Sequence, residues 1–357
     1  MKKTILFFAA LLSCSGLFAK RTTPAEALIK RLKKIQKAGT MIGHQDAFFY
    51  GTTWKWQFGR SDMQDVCGDA PAVLGCELGG LELGVDKNID GVPFDRMKEQ
   101  IVRHATQGGV VTLSWHPANP ANGGNAWNVE GDAVKKVLPN GAEYAKMQLW
   151  LERMAQFIGS LQTKGGKPIA VIFRPWHEMS GSWFWWGAKH CTTEEYKQLF
   201  RMTVEKFRQL GLTNVVWNYS PGADGNDTPE HFFSFYPGDA YVDMLGVDLY
   251  QFSGSEEFIR QGQLEMKIMY DYAKPRGMLY ALTETGYRNT PDPQWFTGTL
   301  RKAFAGYRPS YVLLWRNAWD NPEENFGPAP EKMCADDFRS FAKDILLLFL
   351  NGVRGKK

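Results

Sequence analysis

The chain has 357 residues, 44% of them hydrophobic and 14% aromatic. That is enough to bury a sizeable core, as one large α/β barrel or as two ordinary domains. A net charge of +4 gives no electrostatic reason to expect nucleic acid or an acidic partner, and the thirteen tryptophans are residues that pack cores or stack on sugars.

Residues 1–19 read as a secretory signal. Lys2 and Lys3 form a charged start, 5–12 is an apolar run too short to span a bilayer, and Leu17-Phe18-Ala19 offers a small-residue cleavage site. Export is expected, to the periplasm first. The alternative is an outer-membrane lipoprotein acylated at Cys14, because Leu11-Leu12-Ser13-Cys14 resembles a lipobox. No transmembrane helix is expected elsewhere. Residues 20–357 then form a single domain, expected to be a monomer. In an oxidising compartment Cys67 and Cys76 are near enough in sequence to close a loop. Buried free thiols are the other reading for these two and for Cys191 and Cys334.

The mature chain opens with a helix over 24–37, with an apolar stripe and a basic outer face. A strand over 40–45 ends in Gly43-His44-Gln45, one over 72–78 contains Cys76-Glu77, and one over 110–116 ends in Ser114-Trp115-His116. A helix over 142–161 turns Leu149, Met154, Phe157 and Ile158 inward. The strand over 169–178 ends in Arg174-Pro175-Trp176-His177-Glu178. Thr192-Thr193-Glu194-Glu195 starts a helix over 193–210 that Gly211 stops. Strands over 214–220 and 244–250 end in Trp217-Asn218-Tyr219-Ser220 and Asp248-Leu249-Tyr250, and a helix over 256–273 follows. A strand over 279–285 ends in Thr283-Glu284-Thr285, and one over 311–317 in Trp315-Arg316-Asn317; helices over 293–305 and 336–350 accompany them.

Most of these eight runs are continuously apolar rather than alternating, as strands buried on both faces are. Eight such strands alternating with helices predict a (β/α)8 TIM barrel, a single α/β domain. A doubly wound sheet is the competing fold, but no G-x-G-x-x-G or Walker sequence supports it. Polar and aromatic residues stand at nearly every strand end. Each would have to be desolvated or paired there, and barrel active sites lie on that face.

Cleaving a glycosidic bond takes a proton for the leaving oxygen and stabilisation of an oxocarbenium-like transition state, which two carboxyls flanking the bond supply. Glu178 and Glu284 end the fourth and seventh strands and face each other across the mouth. Trp176, His177 and the Trp183-Phe184-Trp185-Trp186 cluster surround Glu178 with apolar walls, which disfavour its charged form and suit an acid. If Arg174 reaches Glu284, that residue stays ionised, as a nucleophile must. A serine hydrolase has no G-x-S-x-G elbow to support it, a zinc site has no C-x-x-C or H-E-x-x-H, and no metal or cofactor is expected.

Arg174-Pro175-Trp176-His177-Glu178-Met179, with Trp183 and Trp186-Gly187 downstream, resembles the acid/base signature of glycoside hydrolase family 26, the β-mannanases. Gly43-His44-Gln45, Ser114-Trp115-His116-Pro117, Gly246-Val247-Asp248-Leu249-Tyr250, Thr283-Glu284-Thr285-Gly286 and Trp315-Arg316-Asn317-Ala318 follow in the family's order. The resemblance implies retaining hydrolysis of β-1,4-mannans, with a polysaccharide or oligosaccharide as partner, Glu178 as acid/base and Glu284 as nucleophile. It implies that His177 and Tyr250 serve the cleavage subsite, that Asp248 holds a substrate hydroxyl and that Trp183 stacks on the leaving-group side. Trp315 would floor the cleavage subsite, and His116, Arg316, Glu77 and Trp127 would contact the next sugar out. Activity on mixed-linkage glucan or β-1,3-xylan, and a non-catalytic sugar-binding barrel, are the competing functions. The long stretches 48–69 and 117–138 are expected to decide where a polymer is cut.

Overall fold

The computed structural model describes residues 22–223, 228–252 and 254–355. The expected signal segment, with Cys14 and the cleavage site at Ala19, lies outside the described residues. Eight parallel strands close into a barrel: β1 (Thr40–Gln45), β2 (Val73–Glu77), β3 (Val110–Ser114), β4 (Val171–Arg174), β5 (Val215–Tyr219), β6 (Met244–Gln251), β7 (Leu279–Tyr287) and β8 (Tyr311–Leu314). Each pairs with the next, and β1 closes the ring by pairing with both β8 and β2. Every residue of β1 to β5 and β8 is buried, which is why those runs are apolar without alternation.

The helices form where caps and apolar spacing coincide. Pro24–Ala38 starts on a capping box between Thr23 and Glu26 and buries Leu28, Leu32 and Ile35. Thr193–Gln209 starts on the same device, with Thr192 and Glu195 satisfying each other's backbone N–H. In Tyr144–Gly159, Met154 and Ile158 are buried as expected and Phe157 is partly so, but Leu149 is 47% exposed. Its neighbours Met147, Trp150 and Leu151 hold the inward face instead.

Several expectations fail locally. The Phe94–Thr106 helix between β2 and β3 was not anticipated. The expected 336–350 helix stops at Phe341, and Leu347–Leu348 forms a ninth strand, β9, along β1. It pairs with Thr40 and Met41, ahead of the point where β2 joins β1 at Gly43, and so satisfies an otherwise bare edge. Within 293–305 the backbone is a π-helix (Phe296–Leu300) running into a single α-turn. Cys67, Cys76, Cys191 and Cys334 are all free thiols, so the loop-closing disulfide is absent. Among the described residues no helix is long and apolar enough to cross a membrane.

Candidate active site

The mouth of the barrel at the strands' carboxyl ends is a cleft of about 500 Å³. Glu178 and Glu284 both line it. They arrive there by different local devices.

The sequence places Glu178 at the end of the fourth strand, but β4 stops at Arg174. Glu178 sits four residues beyond, in a turn where Trp176 and Glu178 both take the left-handed conformation, with φ of 58° and 54°. Neither is glycine, so the turn stores strain that its surroundings must hold. Trp176 Nε1 donates to Thr203 Oγ1 at 3.0 Å, and Tyr196 O–H donates to the Trp176 carbonyl at 2.8 Å. Trp186 Nε1 donates to the His177 carbonyl at 2.8 Å, and the Glu178 N–H donates to the Ser220 carbonyl at 2.7 Å. Trp115, Trp176, Trp185 and Trp186 are fully buried behind this turn. These tryptophans therefore build the wall, while Trp127, Trp183 and Trp315 face the cleft.

Glu284 depends on a β-bulge. Val247 pairs with Leu282 and the next residue, Asp248, with Glu284, so β7 carries one extra residue at Thr283. The same step shows against β8, between Leu282 and Thr285. In a regular strand Thr283 and Glu284 would face opposite ways. Here Thr283 Oγ1 donates to Asp248 Oδ1 at 2.6 Å, while Glu284 accepts from Arg174 Nη2 and from the Tyr250 hydroxyl, the latter at 2.8 Å.

Arg174 is the hub. Nη1 donates to Ser220 Oγ at 2.9 Å and to both Asp248 oxygens at 3.0 and 3.1 Å, while Nη2 donates to Glu284. Burial works against the guanidinium charge, but Asp248 and Glu284 outweigh it and hold its pKa above the ordinary value. Asp248 is pushed up to about 7, by burial first, with Arg174 opposing and Glu284 adding to the rise. His177, Asp248 and Glu284 approach within 4.8 Å of one another, as metal ligands do. The Arg174 guanidinium already joins the two carboxylates and supplies the cation, so this donor set does not fit a metal ion.

The other carboxyl is held differently. Burial pushes Glu178 well above the ordinary carboxylate range, and the charges of Glu284 and Asp248 push the same way. Trp183 Nε1 donates to Glu178 Oε2 at 2.6 Å. A Cβ on Gly181 would lie 2.2 Å from the Trp183 ring, so the indole folds over that glycine to reach the acid.

The remaining predicted residues divide into two layers. His116, Trp127, Trp183, Asp248, Tyr250, Trp315 and Arg316 line the cleft with the two glutamates. Trp127 stacks on His116 at 5.4 Å between centroids and 11° between planes. Glu77 and His177 lie beneath it. Glu77 is fully buried and accepts from Ser114 Oγ, the Gly79 and His116 N–H groups and His116 Nδ1, so it positions His116 and has no face toward a sugar. Burial disfavours the charge on each, but their mutual attraction wins: Glu77 lies below its ordinary pKa and His116 above. His177 is held well below by burial and by the charges of His116 and Arg174. His116 Nε2 and His177 Nε2 are 3.1 Å apart. A protonated His116 donating to a neutral His177 satisfies both shifts; His177 Nε2, its lone pair taken up by that bond, lies 3.9 Å from Glu284 and makes no hydrogen bond to it.

Phe184 lines the cleft as part of the expected apolar wall, and Asp90, Arg288, Glu324 and Phe326 line it without a signal in the sequence reading. Asp90-Gly91 reads as an ordinary turn, yet Asp90 lies 3.1 Å from Arg316 and burial pushes it up to about 6. Phe326 could have been sensed only through Gly286, where a Cβ would meet the Phe326 ring at 2.6 Å.

An eight-stranded parallel barrel that brings one glutamate from the turn after β4 and one from β7 into a tryptophan-lined cleft has the architecture of the glycoside hydrolases. The sequence profile of glycosyl hydrolase family 26 matches residues 19–292, and the chain belongs to that family. It is 31% identical over 348 residues to a mannan endo-1,4-beta-mannosidase of Bifidobacterium adolescentis, covering 90% of this chain and 34% of that protein. The chain thus spans about a third of that relative's length. Its structure matches a GH26 beta-mannanase from Bacteroides ovatus with a TM-score of 0.90 and 42% identity, over 93% of this chain and 96% of the other. A modular endo-beta-1,4-mannanase from Cellulomonas fimi matches with a TM-score of 0.85 and 31% identity, over 93% and 77% of the two chains.

Proposed function

We propose that this protein hydrolyses β-1,4-mannosidic linkages in mannan, glucomannan, galactomannan and manno-oligosaccharides with retention of configuration. The observation that carries the reading is the contrast between two glutamates in one cleft. Glu284 meets a guanidinium and a phenol, both of which donate to it. Glu178 is held protonated beyond the ordinary carboxylate range.

In the first step Glu178 gives its proton to the glycosidic oxygen as Glu284 attacks the anomeric carbon, and a covalent glycosyl-enzyme forms. In the second, Glu178, now a carboxylate, takes a proton from water, and the water oxygen displaces Glu284. Tyr250 keeps its proton, since burial first and Glu284 next hold its pKa well above the ordinary phenol value. It therefore remains a donor to Glu284 throughout. Trp315 and Trp127 offer stacking faces, and the paired His116 and Arg316 offer donors to sugar hydroxyls.

Release of reducing ends from mannan, lichenan and xylan in parallel tests the substrate class. Mannan is expected to be cleaved at least about tenfold faster than the others. Preference for lichenan or xylan would replace the mannan reading with a related hydrolase, and no cleavage of any would leave a sugar-binding barrel. We also propose export to the periplasm, from the 1–19 pattern. Mass spectrometry of the native protein is expected to show a start at Lys20, and a diacylated Cys14 would make it a lipoprotein instead.

A further inference from the structure

The two glutamates divide the ring of strands unequally. Between β4 and β7 lie only β5 and β6; the longer way round runs through β8, β1, β2 and β3. Asp90, His116, Trp127 and Arg316 belong to the longer arc, where the paired histidine and arginine sit. On the shorter side the exposed cleft-lining side chains with no role so far include Phe252, after β6, and Arg288, after β7.

Phe252 follows β6 and is 78% exposed. Its ring meets Tyr250 with centroids 6.1 Å apart and planes tilted by 33°, which leaves most of the aromatic surface in water. An apolar ring bare on the lip of a cleft is a surface whose burial under a ligand is favourable. Arg288 follows β7, is exposed, and has no hydrogen-bond or ion-pair partner among the described residues. The β6–β7 register pairs Tyr250 with Gly286 and Gln251 with Tyr287, and Phe252 and Arg288 are the residues that follow this last pair on the two chains, both lining the cleft. A phenyl face and a guanidinium in one cleft match a pyranose. The ring's axial C–H face lies on the aromatic, and its hydroxyls accept from a fork of N–H donors.

We propose that Phe252 and Arg288 form a sugar-binding platform on the leaving-group side of the cleft, beyond Trp183, that holds a neutral hexopyranose unit of the departing chain. This rests on the mannan-hydrolase reading and adds to it a determinant of how much polymer must follow the broken bond. Neither residue touches Glu178 or Glu284 by a hydrogen bond, so the platform acts on binding and leaves the chemistry alone.

The test compares Phe252→Ala and Arg288→Ala with the parent on two substrates. Mannohexaose places sugars on both sides of the cleavage point. A nitrophenyl β-mannobioside places them on the nucleophile side only. Each variant is expected to lose about tenfold in kcat/KM on mannohexaose, mainly through KM, a change of roughly 1.4 kcal/mol. On the aryl mannobioside each should stay within about twofold of the parent. Phe252→Trp, which keeps a stacking face, should restore mannohexaose cleavage. Equal losses on both substrates would overturn the platform, since they would report damage to the barrel. Parent-like kinetics on mannohexaose would overturn it too. Silence of the parent itself on both substrates is a separate result; it would remove the hydrolase reading and the platform with it.

Discussion

Glu284→Ala is expected to lose activity on every mannan substrate by at least about three orders of magnitude, equivalent to roughly 4 kcal/mol of lost transition-state stabilisation. No leaving group rescues it, because no residue remains to form the glycosyl-enzyme. Azide can fill the vacated space and attack the anomeric carbon directly, giving a mannosyl azide of inverted, α, configuration. Glu178→Ala is expected to behave otherwise. A nitrophenolate leaves without a proton, so the glycosyl-enzyme still forms from an aryl mannoside and then accumulates, because nothing activates water. Azide should now speed turnover and yield the retained β-mannosyl azide. The pH profile carries the same assignment. Burial and the neighbouring charges raise the Glu178 pKa, so the acid stays protonated to a higher pH than an ordinary carboxyl. Parent kcat/KM then falls on the alkaline side as that proton is lost, and the alkaline limb flattens in Glu178→Ala. A β-azide from Glu284→Ala and an α-azide from Glu178→Ala would show the roles reversed. Parent-like activity of both variants on polymer would remove both residues from catalysis.

Arg174→Met is expected to destabilise the whole barrel as well as inactivate it. The side chain is buried and joins Asp248, Ser220 and Glu284. Its removal leaves two carboxyls buried without their cation, a cost of about 3–5 kcal/mol. In a chain of this size that lowers Tm by roughly 4–7 °C. The deficit should depend on pH. Asp248 is already raised to about 7 with Arg174 opposing the rise, and losing the guanidinium raises it further. A carboxyl with a raised folded-state pKa binds its proton more tightly in the native chain than in the unfolded one. Its contribution to stability is therefore full below the unfolded value near 4 and is lost as pH rises through 7. Parent and variant lose that contribution together up to about pH 7, and above it only the variant goes on losing. Thermal melts of Arg174→Met should therefore keep a steady gap below the parent from about pH 4 to 7 and fall further behind toward about pH 9. Equal Tm values across that range would show that the triad contributes nothing to stability.

The barrel was legible because its strands are buried on both faces, and burial of that kind writes a continuous apolar run into the chain: β1 matches its predicted bounds of 40–45. The two glutamates were legible for a related reason. A charged residue directly after such a run has no water to face unless a cleft opens there, and the strand-four and strand-seven motifs carry the family's signature in order. Boundaries were less legible. The run 169–178 looks like one strand, because nothing in Pro175-Trp176-His177-Glu178 marks the left-handed turn that Tyr196, Thr203 and Trp186 impose from elsewhere. The bulge at Thr283 is equally silent, since register is a property of two strands and not of one.

The sequence by itself determined the eightfold alternation, the acidic pair and the aromatic supply, all of which depend on local order and residue type. Tertiary structure decided how those residues divide the work. Glu77 and His177 read like substrate contacts but fall beneath the cleft as hydrogen-bond partners of His116. Asp90, Phe252 and Arg288 read like loop residues but reach its walls. The physical reason is that side-chain depth at a barrel mouth is set by twist, by bulges and by loops from distant strands. Those bring together groups such as Arg174 and Glu284, 110 positions apart, and no local pattern in the chain records such a meeting.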